Sequence, residues 1–352
     1  MASSHQLSLA FETPSAQAFP SMTMIQKPAI IGLAGKQLSP EEAALLGSHA
    51  PAGVILFARN IEDPAQLAGL VASVRAALPA GGLVMVDQEG GRVARLKPPH
   101  WQGHPPARAI GDLHARDARQ GLRAAWLTGA LIGAQCYEAG CNIVAAPVLD
   151  VAAAGGHDVI GDRAFSPDPE AVAMLGASFA RGLLAAGVQP VGKHAPGHGR
   201  ARADSHLELP VLDGVSDADL TPFRANAWLP WLMTAHIRYT AQDMTHPATQ
   251  SPVLTRLIRA LGFTGALITD DLAMNALSGS AGARAMRALA AGCDIALHCS
   301  GVLAESVEVL EAVPLITQVA RDRLRAASVM AHAFRTDLDV PALAAESTGL
   351  LA

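Results

Sequence analysis

The chain has 352 residues, half of them hydrophobic and 4% aromatic, with a formal net charge of −5. That size and apolar fraction supply one large buried core, and a slightly acidic chain without a basic run is not expected to bind nucleic acid. No apolar stretch approaches the ~18 residues of a membrane span, so no membrane partner is expected.

Residues 1–23 precede any patterning. They are rich in Ser, Ala and Pro, and no Lys or Arg comes before Lys27, so the basic start of a secretory signal is missing. A disordered extension is expected there, then one domain over 24–340 and a C-terminal tail over 341–352. The four cysteines, Cys136, Cys141, Cys293 and Cys299, lie in or beside apolar stretches and make neither a disulfide framework nor a metal-type CxxC. Buried thiols in a reducing, cytoplasmic compartment are expected.

Eight short apolar runs follow in chain order, at 29–35, 53–58, 83–87, 142–150, 188–194, 232–236, 266–270 and 294–298. Each is near-continuously hydrophobic, as a strand covered on both faces must be. Ala/Leu-rich segments with helical spacing lie between most of them, at 63–78, 169–186, 252–261 and 282–291. Ser39-Pro40-Glu41-Glu42 reads as a capping box with Pro at the first helical position. Gly140, Gly187, Gly262 and Gly292 stand where a helix would end before the next strand. Strand and helix alternating eight times predict an α/β fold, a single-domain (β/α)₈ TIM barrel, with an extra C-terminal helix over 313–334. An open doubly wound sheet is the alternative, and no G-x-G-x-x-G follows the first strand to support its dinucleotide-binding form.

The polar residues gather at one end of these runs. Run three leads into Asp87-Gln88-Glu89-Gly90-Gly91-Arg92, run four ends at Asp150, and run five ends at Lys193-His194 before Gly197-His198-Gly199. Run six ends at His236, run seven at Asp270-Asp271 and run eight at His298. In a barrel this is the rim where active sites are built. Carboxylates at Asp87, Asp150, Asp270 and Asp271 suit sugar chemistry or metal binding. A retaining glycosidase needs a carboxylate nucleophile and a second group that gives and then takes a proton.

The stretch Lys193-His194-Ala195-Pro196-Gly197-His198-Gly199, followed by Asp204-Ser205-His206, resembles the signature of bacterial glycoside hydrolase family 3 β-N-acetylglucosaminidases. So do Asp87-Gln88-Glu89-Gly90-Gly91-Arg92-Val93 with Arg95, Gly161-Asp162-Arg163-Ala164-Phe165, Met233-Thr234-Ala235-His236-Ile237 and Thr269-Asp270-Asp271-Leu272-Ala273-Met274. The resemblance implies Asp270 as nucleophile, His206 as general acid/base and Asp204 as the carboxylate that holds its ring. It implies Asp87, Arg95, Arg163, Lys193 and His194 as ligands of the sugar's hydroxyls and acetamido group. It implies no cofactor and no metal, and a role in cell-wall recycling on muropeptides. A monomer acting on a small-molecule substrate is expected.

Neighbouring residues are read more plainly. Asp271 points away from Asp270 in an extended segment and is expected to bond nearby loops. His236 and His298 are expected beside the site rather than on the sugar. Arg200 and Arg202 are expected to be solvated, with contact to an anionic aglycone as the alternative. Gly197 and Gly199 are expected to let the loop carry His206 in and out. Ala195 stands where many relatives have Phe, a departure that predicts looser packing under the sugar. Three rival chemistries remain open on this fold. A phosphorylase would pass the sugar to phosphate. A family 3 exo-β-glucosidase would usually take its acid from a second domain, and no such domain is expected beside this barrel. A metal hydrolase would use His194, His198, Asp204 and His206.

Overall fold

The computed structural model describes residues 25–351, so the extension expected over 1–23 lies outside them. Each apolar run forms a strand: β1 (Lys27–Gly32), β2 (Pro51–Leu56), β3 (Leu83–Val86), β4 (Ile143–Val144) and β5 (Gln189–Ala195). After a short β6 (Val211–Leu212) come β7 (Trp231–Thr234), a short β8 (Arg238–Tyr239), β9 (Ala266–Ile268) and β10 (Ala296–His298). Eight of these pair in parallel in the order β10-β1-β2-β3-β4-β5-β7-β9. A parallel bridge from Ile268 to Ile295 joins the last strand to the first and closes the barrel. The short β6 and β8 form a separate parallel pair, absent from the sequence expectation.

Strand alternation sorts the apolar residues into two cores. Ile30, Ile55, Met85, Val191 and Ile268 point into the barrel, together with Trp231 and Leu297. Their neighbours Ile31, Val54, Leu56, Val84, Val86 and Leu267 point outward beneath the helices. The same parity continues past the strand ends, so Asp87 follows Met85 and Asp270 follows Ile268 toward the barrel axis.

The helices begin where local chemistry starts them. At α1 (Pro40–His49) the Ser39 side chain accepts from Glu42 N, and Glu42 reaches back to Ser39 N. Such a cap contributes roughly 1 kcal/mol. The four Ala/Leu-rich segments become α2 (Pro64–Ala77), α5 (Pro169–Ala185), α7 (Pro252–Ala260) and α8 (Ala281–Ala291). Gly140, Gly187, Gly262 and Gly292 all take positive φ after helices, as expected of that position. Between these come α3 (Ala107–Arg116), α4 (Ala118–Glu138), α6 (Asp217–Ala225) and α9 (Leu303–Ala312).

The helix expected over 313–334 starts later, as α10 (Gln318–Phe334), because Pro314 intervenes and Thr317 caps the helix by accepting from Ala320 N. The stretch expected as a tail forms α11 (Val340–Leu351) against α4, where Arg123 and Glu346 pair at 2.6 Å. The four cysteines are free and buried. Among the described residues no helix is long and apolar enough to cross a membrane.

Candidate active site

The carboxyl ends of the strands enclose a pocket of ≈ 740 Å³, part of it open to solvent. Asp87, Arg95, Arg163, Lys193, His194, His206 and Asp270 all line it. Seven of the eight residues expected in the site therefore share one cavity, and the eighth, Asp204, is bonded to His206.

One wall is a buried ionic network. Lys193 Nζ lies 3.1 Å from Asp87 Oδ1 and 2.6 Å from Glu89 Oε1, with 3% of its side chain exposed. Arg163 grips Glu89 in bidentate fashion, Nε and Nη2 each donating over 2.8 Å. Its Nη1 donates to Val159 O, and Nη2 sits 3.5 Å from His194 Nε2. Arg163 thus borders the pocket with its guanidinium already committed to Glu89. Arg95 donates to Asp87 Oδ2 over 3.2 Å, and its guanidinium lies 5.2 Å from the Phe57 ring centre.

Burial alone would raise the carboxyl pKa of Asp87, but Lys193 and Arg95 beside it hold it below the ordinary value. Glu89 is depressed for the same reason, with Arg163 and Lys193 outweighing its burial. Each Asp87 oxygen accepts one protein hydrogen bond, leaving a lone pair on each for a sugar hydroxyl.

Asp150 organises a second wall. It is fully buried, and its Oδ2 sits 2.6 Å from His194 Nδ1. Its Oδ1 accepts from His198 N at 2.6 Å and from His194 N at 3.2 Å. This fixes the His194 ring with Nε2 turned toward Arg163.

On the floor, Asp270 Oδ1 accepts from Asp271 N at 2.8 Å. Burial works to raise its pKa, but His236, His194, that backbone N–H and Lys193 together bring it down to about 2. Asp270 is therefore an anion at neutral pH, as a nucleophile must be. Asp271 has the opposite parity. Its Oδ1 accepts from Ala273 N at 2.8 Å and from Cys299 N at 2.9 Å, tying two loops together. His236 bonds Thr249 Oγ1 at 2.7 Å and Asp271 O at 2.9 Å, so both ring nitrogens are in use. His298 Nε2 meets Glu305 and Ser300, each at 3.0 Å.

The loop after β5 supplies the last element. Asp204 Oδ1 accepts from His206 Nδ1 at 2.7 Å and from His206 N at 2.9 Å. The His206 side chain is 61% exposed and reaches the pocket from above. His194 turns to Asp150, His198 to Ser205 and His206 to Asp204, so the dense His/Asp run is divided among three separate hydrogen bonds.

The expected glycine hinge is not a loose one. A Cβ on Gly199 would fall 1.8 Å from Val151 O, so Gly199 marks a close backbone approach. Arg200 is held by Asp219 at 2.6 Å and is not simply solvated, while Arg202 is exposed. The sequence assigns no role to Glu89 or Ser205, offers Asp150 only among the carboxylates of the rim, and gives His198 only as a ligand of the rival metal hydrolase. All four stand inside quoted motifs or at a strand end, but the partners of Glu89 and Asp150 are distant in the chain.

Known proteins resemble this chain over most of its length. The model of the glycosyl hydrolase family 3 N terminal domain matches residues 20–335. The β-hexosaminidase of Thiobacillus denitrificans is 40% identical over 283 residues, covering 78% of each chain. That of Alkalilimnicola ehrlichii is 40% identical over 287 residues, 79% of this chain and 82% of its own. The crystal structure of NagZ from Neisseria gonorrhoeae in complex with N-trifluoroacetyl-D-glucosamine superposes with a TM-score of 0.81 at 32% identity. That alignment covers 93% of this chain and 99% of the other.

Proposed function

Because the chain belongs to glycosyl hydrolase family 3, we propose that it is a cytoplasmic, retaining exo-β-N-acetylglucosaminidase that removes terminal non-reducing N-acetylglucosamine from muropeptides during peptidoglycan recycling. It is a glycoside hydrolase acting on β-N-acetylhexosamines, the activity for which its relatives are named. What carries the mechanistic reading is that Asp270 and His206 border one pocket, the first from the strand floor and the second from the loop above.

In the first step an Asp270 oxygen bonds to the anomeric carbon as the glycosidic C–O bond breaks. His206 Nε2 gives its proton to the departing oxygen. The Asp204 carboxylate on Nδ1 stabilises the imidazolium before transfer and fixes which nitrogen exchanges the proton. In the second step water attacks the anomeric carbon, the C–O bond to Asp270 breaks, and Nε2 takes the water's proton. Two displacements leave the β configuration unchanged. Asp87 accepts hydroxyls while Lys193 and Arg95 keep it charged. Four free, buried thiols support a reducing compartment.

The test is product analysis on a muropeptide carrying N-acetylglucosamine. The expected outcome is free β-N-acetylglucosamine as the first-formed sugar, at the same rate with and without inorganic phosphate. An α first product rejects the retaining mechanism. A sugar phosphate made only when phosphate is present replaces hydrolysis with phosphorolysis.

A further inference from the structure

The Asp204–His206 pair is internally bonded, but something must also hold it over the sugar. Among the described residues, two hydrogen bonds tie residues 202–209 to the rest of the molecule. Asn275 N donates to His206 O over a long 3.4 Å. Ser205 Oγ meets His198 Nε2 at 3.1 Å. The second bond is buried, since Ser205 and His198 are each 2% exposed, while on either side of Ser205 the His206 side chain is 61% exposed and that of Asp204 23%.

His198 is a rigid support. Its N–H donates to Asp150 Oδ1 at 2.6 Å, and its carbonyl accepts from Ala201 N at 3.0 Å. Its ring lies edge-on to the His194 ring, with centres 5.6 Å apart. Burial drives its pKa down to about 4, helped by the neighbouring His194 and opposed by Asp150 and Asp270, so the ring is neutral at working pH. Its Nδ1 is buried without a hydrogen-bond partner, which leaves Nε2 as the ring atom that does the holding.

We propose that Ser205 is a positioning residue for the general acid/base: through His198 it docks the Asp204–His206 dyad onto the same Asp150 carboxylate that orients His194. The proposal rests on His206 being the acid/base. With Ser205 in place, His206 is indexed to the wall that grips the sugar. Without it, the dyad stays paired but is held above the glycosidic oxygen by the long Asn275–His206 bond alone.

The test measures kcat/KM in the full-length protein on two β-N-acetylglucosaminides, an alkyl glycoside with a poor leaving group and a 2,4-dinitrophenyl glycoside that needs little proton assistance. Ser205→Ala is expected to lose roughly tenfold on the alkyl glycoside, the scale of one hydrogen bond, and less than about twofold on the dinitrophenyl glycoside. Ser205→Thr, which keeps the hydroxyl, is expected to restore most of the alkyl rate. In a His206→Ala background, Ser205→Ala is expected to cost nothing more, because both act through one group. Equal losses on the two glycosides, or a further loss in that background, overturn the proposal. If His206→Ala itself shows no preference for the better leaving group, the acid/base assignment falls first and the proposal with it.

Discussion

On the pocket wall, Lys193 reaches two carboxylates with 3% of its side chain exposed; on the loop above, His206 keeps 61% exposed and rests on a carboxylate two residues away. The wall is assembled from residues far apart in sequence: Glu89 pairs with Arg163 and with Lys193, and Asp87 with Lys193. The loop is assembled from neighbours. Long-range buried pairs make a wall whose geometry exists before substrate arrives, which suits gripping a sugar. A locally bonded loop keeps its chemistry intact while its position is set by few contacts, which suits a proton donor that must admit and release a bulky substrate.

The contrast can be broken at several points. Asp270→Ala is expected to lower kcat by about four orders of magnitude or more while the chain stays folded, checked by steady-state kinetics beside circular dichroism. His206→Ala is expected to cost about 10²–10⁴-fold in kcat/KM on poor leaving groups, with no loss of stability, since the ring is exposed. Glu89→Ala reverses that pattern. It leaves Lys193 and Arg163 buried without their shared partner, and urea unfolding is expected to show a loss of about 3–5 kcal/mol. A Glu89→Ala protein as stable as its parent would mean the wall is not the rigid half.

Acid sharpens the comparison further. The folded pKa of His198, about 4, lies below the ordinary imidazole value near ~6.5. Its contribution to stability is therefore complete above the ordinary value and is lost as pH falls through about 4. Urea midpoints should decline across that window, and His198→Asn should flatten the decline; His236, lowered mainly by burial, shares in it. The smallest effect is expected far from the pocket, where Arg123→Ala should change stability by less than about 1 kcal/mol because the Arg123–Glu346 pair is exposed.

The barrel is legible because every strand is marked by an apolar run, and six of the eight runs are marked again by the polar residues at their ends. Ile268 and Asp270, or Met85 and Asp87, share a face by parity alone, and parity is visible in a sequence. Helix α11 was not legible. Among its residues only Ser347 is buried, so no apolar stripe marks it, and Pro341 stands near its start. The helix expected over 313–334 begins only at Gln318, because Pro314 and the Thr317 cap fix its start while the apolar residues before them carry no such mark. In the site, residues whose chemistry is their own, such as Asp270 and His206, could be named from motifs. Glu89, Asp150 and Ser205 act through partners that only folding brings near, and neither spacing nor residue type records that Asp150 meets His194 and His198 with the same carboxylate.

The account stands on Asp270 as the group that bonds to the sugar. Incubation with a fluorinated N-acetylglucosaminyl donor with a good leaving group, followed by proteolysis and mass spectrometry, tests it directly. The expected result is one sugar adduct on the peptide carrying Thr269-Asp270-Asp271, fragmenting to Asp270. An adduct on Asp271 or another residue, or turnover without any adduct and with an inverted product, contradicts it.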